Sequence, residues 1–200
     1  MKWWAGLAGA AVLGMAVYGA IGLTQGDPRS PFPFRQLRLV SENMAPTLRP
    51  GMRVMARRKP ASELRRGDVA VFFVGDNFWV QRVVGLPGDR VEMRGGLVIL
   101  NGTPVPQADR GKIEIDGRTS TIRSEQLPGA TAAHRVLDEG ATPGDELSAV
   151  VVPPGRLFLL GDNRDNSMDS RFPATAATMG GGMVAFDDVY GTIAPEDVSD

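Results

Sequence analysis

The chain has 200 residues, 42% of them hydrophobic, and a formal net charge of −1, which suits one packed domain of ordinary size. It has no Cys and a single His, His134, which excludes disulfides, thiolate chemistry and any His- or Cys-cluster metal centre. The near-neutral balance excludes a globally basic nucleic-acid binder, although residues 35–66 hold nine Arg or Lys against two Glu and residues 182–200 hold five acids and no base.

From the N-terminus, Trp3 to Leu23 is a run of 21 residues without a charge. At about 1.5 Å per residue a helix of this length spans roughly 30 Å, the hydrocarbon core of a bilayer. We expect residues 1–24 to form a retained transmembrane anchor. About half of the run is Gly or Ala, and Tyr18-Gly19-Ala20 offers small residues at a possible cut, so a cleaved signal peptide is the alternative. Lys2 lies on one side of the run and Arg29 and Arg35 on the other, which leaves orientation open by charge alone. Residues 25–34 form a linker kept extended by Pro28, Pro31 and Pro33.

A β domain is expected over 35–194. Short apolar runs predict strands at Leu37–Val40, Met52–Ala56, Val69–Val74, Phe78–Val84, Val91–Met93, Leu97–Leu100 and Leu157–Leu160. Gly95-Gly96 and Asn101-Gly102 between such runs predict tight turns. No stretch after residue 24 keeps a 3.6-residue period, so long helices are not expected. Residues 103–150 are more polar, with weak strand signals, and are expected to be a variable insertion or lesser subdomain. Ala174–Gly182 has the composition of a small-residue loop, and 195–200 that of an acidic tail.

Two further stretches have two readings each. Arg53, Arg57, Arg58, Lys59, Arg65 and Arg66 suit either anionic lipid head groups or a solvated loop. Phe32, Phe34, Leu37, Met44 and Leu48 suit either a membrane-contacting rim or core.

Four motifs occur in order: Ser41-Glu42-Asn43-Met44-Ala45-Pro46-Thr47-Leu48; Arg66-Gly67-Asp68-Val69-Ala70-Val71-Phe72; Val80-Gln81-Arg82-Val83-Val84-Gly85-Leu86-Pro87-Gly88-Asp89; and Gly161-Asp162-Asn163-Arg164-Asp165-Asn166-Ser167-Met168-Asp169-Ser170-Arg171. Together, behind one apolar N-terminal run, they resemble the bacterial type I signal peptidases (peptidase family S26), membrane-anchored Ser/Lys endopeptidases. The resemblance implies a mostly β fold of coiled antiparallel sheets with one N-terminal transmembrane helix. It also implies a single-pass protein of the cytoplasmic (inner) membrane with its β domain on the outer face. Signal peptides or pre-proteins and the lipid bilayer would be its partners. No nucleic acid, metal or cofactor is implied.

The resemblance breaks at both catalytic positions. Asn43 stands where the family has its nucleophilic Ser, and Gln81 where it has its Lys general base. A carboxamide is a poor nucleophile and has no useful basicity near neutral pH. Losing one member of such a dyad removes most of the rate, and losing the second adds little. The two amides can satisfy each other by a hydrogen bond, so Asn43 and Gln81 are expected within bonding reach, with Ser167 close to Gln81. By matching position, Met44, Pro46 and Arg82 flank the site, and Ser167, Asp169 and Arg171 support it.

Three explanations of the replaced pair remain. One is an inactive homologue that binds signal peptides or an active signal peptidase. Another is an engineered dead enzyme. The third is a rewired active enzyme using Ser41, which faces the same side as Asn43 in an extended strand. Such an enzyme lacks an evident base, because Lys59, Lys112 and His134 fall outside the motifs. A structural or assembly module attached to the membrane is a separate reading, and it would lack a peptide groove.

Overall fold

The computed structural model describes residues 32–115, 117–174 and 181–199. The expected transmembrane helix and the linker up to residue 31 therefore lie outside the described residues, as does most of the small-residue loop. Among the described residues no helix is long and apolar enough to cross a membrane. Their only helical elements are four 3-10 turns of three residues: Ala61–Glu63, Pro143–Asp145, Arg164–Asn166 and Phe186–Asp188.

The other regular elements are antiparallel strands. In chain order these are β1 Phe34–Arg38, β2 Arg53–Arg58, β3 Val69–Val74, β4 Asn77–Gly85, β5 Arg90–Arg94, β6 Leu97–Leu100 and β7 Thr103–Pro104. They continue with β8 Gln107–Ile115, β9 Arg118–Glu125, β10 His134–Asp138, β11 Leu147–Val151, β12 Arg156–Leu160, β13 Val184–Ala185 and β14 Val189–Ser199. A seven-stranded sheet has the order β1-β2-β14-β3-β4-β12-β13; a four-stranded sheet runs β11-β5-β6-β7, and a three-stranded one β10-β9-β8.

The apolar pattern explains the large sheet. β3 reads Val-Ala-Val-Phe-Phe-Val, with successive side chains on opposite faces. Val69 and Val71 pack with Met44, Leu48, Val54, Val80 and Ile193 on one face. Ala70 and Phe72 pack with Leu64, Val83, Leu157 and Leu159 on the other. A central strand covered on both sides has no polar alternation, which is why the run is continuous. The third core cluster joins Val84, Phe158 and Leu160 of the large sheet to Val91, Met93, Val98 and Leu100 of the four-stranded one. Between β5 and β6, Gly95 and Gly96 both have positive φ, 52° and 76°, the backbone of a two-residue hairpin turn.

Residues 103–150 contain β7 to β11, much more strand than their composition suggests. β8 is exposed at most positions, so its strand character comes from pairing with β9 rather than from burial. β14 continues through the acidic residues expected to be a tail, with Val198 opposite Val54 and Asp197 ion-paired with Arg57. A register shift between Ile193 and Val198 lets Pro195 sit where no ladder N–H is required.

Candidate active site

The first motif follows β1 as a compact turn. Leu48 N–H donates to Met44 O at 2.9 Å, and Ala45 N–H to Glu42 O at 2.9 Å; the Ala45–Pro46 peptide bond is cis. Met44 is buried at 2% exposure and belongs to the core, whereas Pro46 is half-buried. Asn43 sits at the head of the turn, its own N–H directed to Ser41 Oγ at 3.2 Å.

The third motif begins in β4 and runs into the turn that follows it. Gln81 lies opposite Ala70 of β3 and is fully buried. The fourth motif follows β12 and is fixed to the first by Asn163 N–H donating to Asn43 O at 3.0 Å. A Cβ at Gly161 would meet Asn43 O at 2.5 Å and collide with Ser167 Oγ. A side chain there would separate these two residues, so the chain needs Gly at this position.

The expected hydrogen bond between the two amides is absent. Asn43 Nδ2 donates instead to the main-chain carbonyl of Val80 at 2.8 Å, and Gln81 Nε2 to the carbonyl of Met168 at 2.6 Å. Each amide N–H₂ is taken by a main-chain carbonyl instead of by the other amide's oxygen. Gln81 Oε1 and Ser167 Oγ are buried without a hydrogen-bond partner. Ser167 is therefore next in sequence to Gln81's acceptor, Met168, but makes no bond to Gln81.

Paired charges fix the surroundings. Arg82 donates through Nε to Asp162 Oδ1 at 2.7 Å and through Nη1 to Gly67 O at 2.7 Å. Thr47 Oγ1 also donates to Asp162, which ties the first motif to the fourth. Arg171 pairs with Asp169 at 2.8 Å, and Asp169 Oδ2 accepts from Gly161 N–H at 3.1 Å. Beneath them, Arg164 bonds both oxygens of Glu125 at 2.6 and 3.1 Å, and His134 Nε2 lies 3.2 Å from Glu125. Burial pushes the Glu125 carboxyl up, but the Arg164 guanidinium and the neighbouring His134 outweigh it and hold the group well below the usual carboxylate range. Motif reading did not anticipate Glu125, because it lies in the polar region and its partners are distant in sequence.

A groove of about 500 Å³ opens beside Asn43. One wall is Leu37–Ser41 with Asn43 and Met44, and the other is Asn77–Val80. Both walls end in unpaired strand edge. Among the described residues β1 is terminal in its sheet, and β12 pairs with β4 only at Arg82, Val83 and Gly85, which leaves 77–80 without a strand on that side. Gln81, Pro46, Arg82, Ser167, Asp169 and Arg171 are not among the groove's lining residues. Among the described residues no group of three or more His, Asp or Glu has the arrangement of a metal site.

The chain is an antiparallel β domain of three sheets, with a groove where its first motif meets the start of its third. The family described as signal peptidase, peptidase S26, matches residues 28–195, and the chain belongs to that family. Signal peptidase I of Bacillus amyloliquefaciens is 32% identical over 136 residues, covering 65% of this chain and 61% of that protein. Signal peptidase I T of Bacillus subtilis (strain 168) is 31% identical over 168 residues, covering 80% and 72%. The first of these alignments thus spans about three-fifths of the relative's length. A crystal structure of a signal peptidase I from Enterococcus faecalis V583 aligns with 23% identity and a TM-score of 0.38, covering 66% of this chain and 97% of that one.

Proposed function

We propose that this chain is a signal peptidase homologue that holds signal peptides in the groove beside Asn43 without hydrolysing them. The supporting observation is the chemistry at the two catalytic positions. Both carry carboxamides, and each amide N–H₂ is committed to a main-chain carbonyl. Neither group offers a lone pair basic enough to activate a hydroxyl. The groove itself is open, and its two strand edges offer backbone partners to an extended peptide. A purely structural module would have no use for such an opening.

The rewired enzyme is the weaker reading. Ser41 lines the groove, but its Oγ accepts from Asn43 N–H, and none of Lys59, Lys112 and His134 lines the same groove. Lys59 is ion-paired with Asp68, and His134 stands against Glu125.

The proposal includes one membrane span over residues 3–23, a linker, and the β domain on the outer face of the cytoplasmic membrane. The uncharged N-terminal run and the family support it. Bound lipid and an active signal peptidase are further partners in this proposal. The test is cleavage of a pre-protein with an Ala-x-Ala site. Wild-type protein should bind it and leave it intact, whereas the Asn43→Ser/Gln81→Lys double variant should cut it. Steady turnover by the wild type would overturn the proposal.

A further inference from the structure

The polar region 103–150, which none of the four motifs covers, holds the two site loops together. β10 forms a parallel bridge from Leu137 to Asn163, with Leu137 N–H on Asp162 O at 2.8 Å. Glu139 N–H and Thr142 Oγ1 donate to the two oxygens of Asp165 at 2.7 and 2.8 Å. Glu125 at the end of β9 grips Arg164. All of these contacts fix the fourth motif.

The opposite end of β9 reaches the first motif. Ile115 and Arg118 face each other across the β8–β9 hairpin, so Arg118 stands at its tip. Its guanidinium lies 3.2 Å from Glu42 and 3.6 Å from Glu139. A second donor on the same carboxylate is Asn166, whose Nδ2 donates to Glu42 Oε2 at 3.3 Å, while Asn163 Nδ2 donates to Glu42 O at 3.3 Å. Glu42 sits between Ser41 and Asn43, both of which line the groove. The clamp therefore acts on the wall a peptide would touch.

We propose that the β8–β9 hairpin clamps the Ser41–Asn43 wall of the groove, with Arg118 as its positioning residue, so that the hairpin sets the groove's affinity for an extended peptide. Arg118 does not touch the groove, and it acts through Glu42. Its side chain is 45% exposed, so the pair is of the weak, salt-sensitive kind. The effect is graded: losing the cation loosens the wall, and reversing its charge beside Glu42 and Glu139 drives the wall away.

The affinity part rests on the peptide-holding reading, so the experiment has two readouts. The first is binding of an N-acetylated Ala-x-Ala peptide. Arg118→Ala should weaken it about two- to fivefold and Arg118→Glu about tenfold, and Glu42→Arg/Arg118→Glu should bring it back to within about twofold of wild type. The second readout needs no peptide. Hydrogen exchange at the Ala45 amide, which donates to Glu42 O, should quicken in the same order and be rescued by the same swap, at unchanged melting temperature. Unchanged exchange at Ala45 in Arg118→Glu would overturn the clamp. Quickened exchange in a protein that binds no peptide would keep the clamp and overturn the peptide-holding reading.

Discussion

Asn43 Nδ2 donates to the carbonyl of Val80 at 2.8 Å, so Asn43 is bonded to the backbone beside Gln81 and not to Gln81 itself. The bond spans 37 residues and joins the first motif's turn to the free edge of β4. It is buried, and a buried amide–carbonyl bond contributes about 1 kcal/mol net, with a further cost when its partner is left unsatisfied. Asn43→Ala should therefore lower the stability by about 1–2 kcal/mol in urea unfolding. A change near zero would mean that this bond does not hold the turn.

Gln81 offers a sharper contrast. Its Oε1 is buried without a partner, so the amide already carries part of a desolvation cost. Gln81→Met keeps the length, removes that orphan acceptor and gives up the bond to Met168 O. These effects oppose one another, and the net change should stay within about 1 kcal/mol. Gln81→Lys in an otherwise unchanged chain buries an ammonium beside the Met168 carbonyl and should cost about 2–4 kcal/mol at pH 7. The penalty should shrink at high pH, where the amine is neutral. Urea midpoints at pH 7 and pH 10 measure both, and equal midpoints for the two variants at pH 7 would refute the argument.

How far the sequence foretold this arrangement depended on what fixed each element. Val69–Val74 and Leu97–Leu100 are strands with the bounds their apolar runs suggest, because burial decides both ends. β8 was not legible as a strand, since Gln-Ala-Asp-Arg-Gly-Lys-Ile-Glu-Ile buries almost nothing and holds its form through β9. β14 contains Gly191 and Pro195, which argue against a strand until its partners are known. A Cβ at Gly191 would run into Arg57 O, and Pro195 falls at the irregularity between Ile193 and Val198. At the site, the motifs marked Asn43 and Gln81 as neighbours, but not the carbonyls that capture their amides. Glu42 and Arg118 lie 76 residues apart, and no local pattern announces such a pair.

Acid should loosen the site from beneath. The Glu125 carboxyl has an ordinary value of 4.5 and is held well below it by Arg164 and His134, which outweigh its burial. Above about pH 4.5 the group is ionised in both folded and unfolded chains, and its contribution to stability is full. Below that the unfolded chain takes up a proton that the folded chain refuses, so stability falls with pH. Glu125→Gln leaves Arg164 buried beside a neutral amide and should cost about 3–5 kcal/mol at pH 7. Its stability should then decline less steeply between pH 4.5 and pH 3 than that of the wild type. Parallel slopes in that window would place the acid sensitivity on other carboxylates, such as Asp89, which Arg66 and Asn101 hold down in a similar way against its partial burial.

Trp79 lines the groove, so its emission would report the proposed peptide capture directly. The chain has three Trp residues, and the other two, Trp3 and Trp4, lie in the N-terminal run far from the groove in sequence. An extended peptide laid between Leu37–Ser41 and Asn77–Val80 would change the solvent around Trp79 and shift its emission. A peptide with Ala one and three places before the family's cleavage position should give a saturable shift, and Trp79→Phe should abolish it. Replacing either Ala by Phe forces extra volume against a wall packed on Met44 and Phe78. Overpacking of this kind costs about 1–3 kcal/mol, which is roughly a 5- to 150-fold loss of affinity. The peptide recovered after overnight incubation should have its original mass. A saturable shift with a shortened peptide would make Ser41 the nucleophile to test next, by Ser41→Ala. If the Phe peptides bind as well as the Ala peptide, the groove does not select small residues, and the peptide-holding function loses its basis.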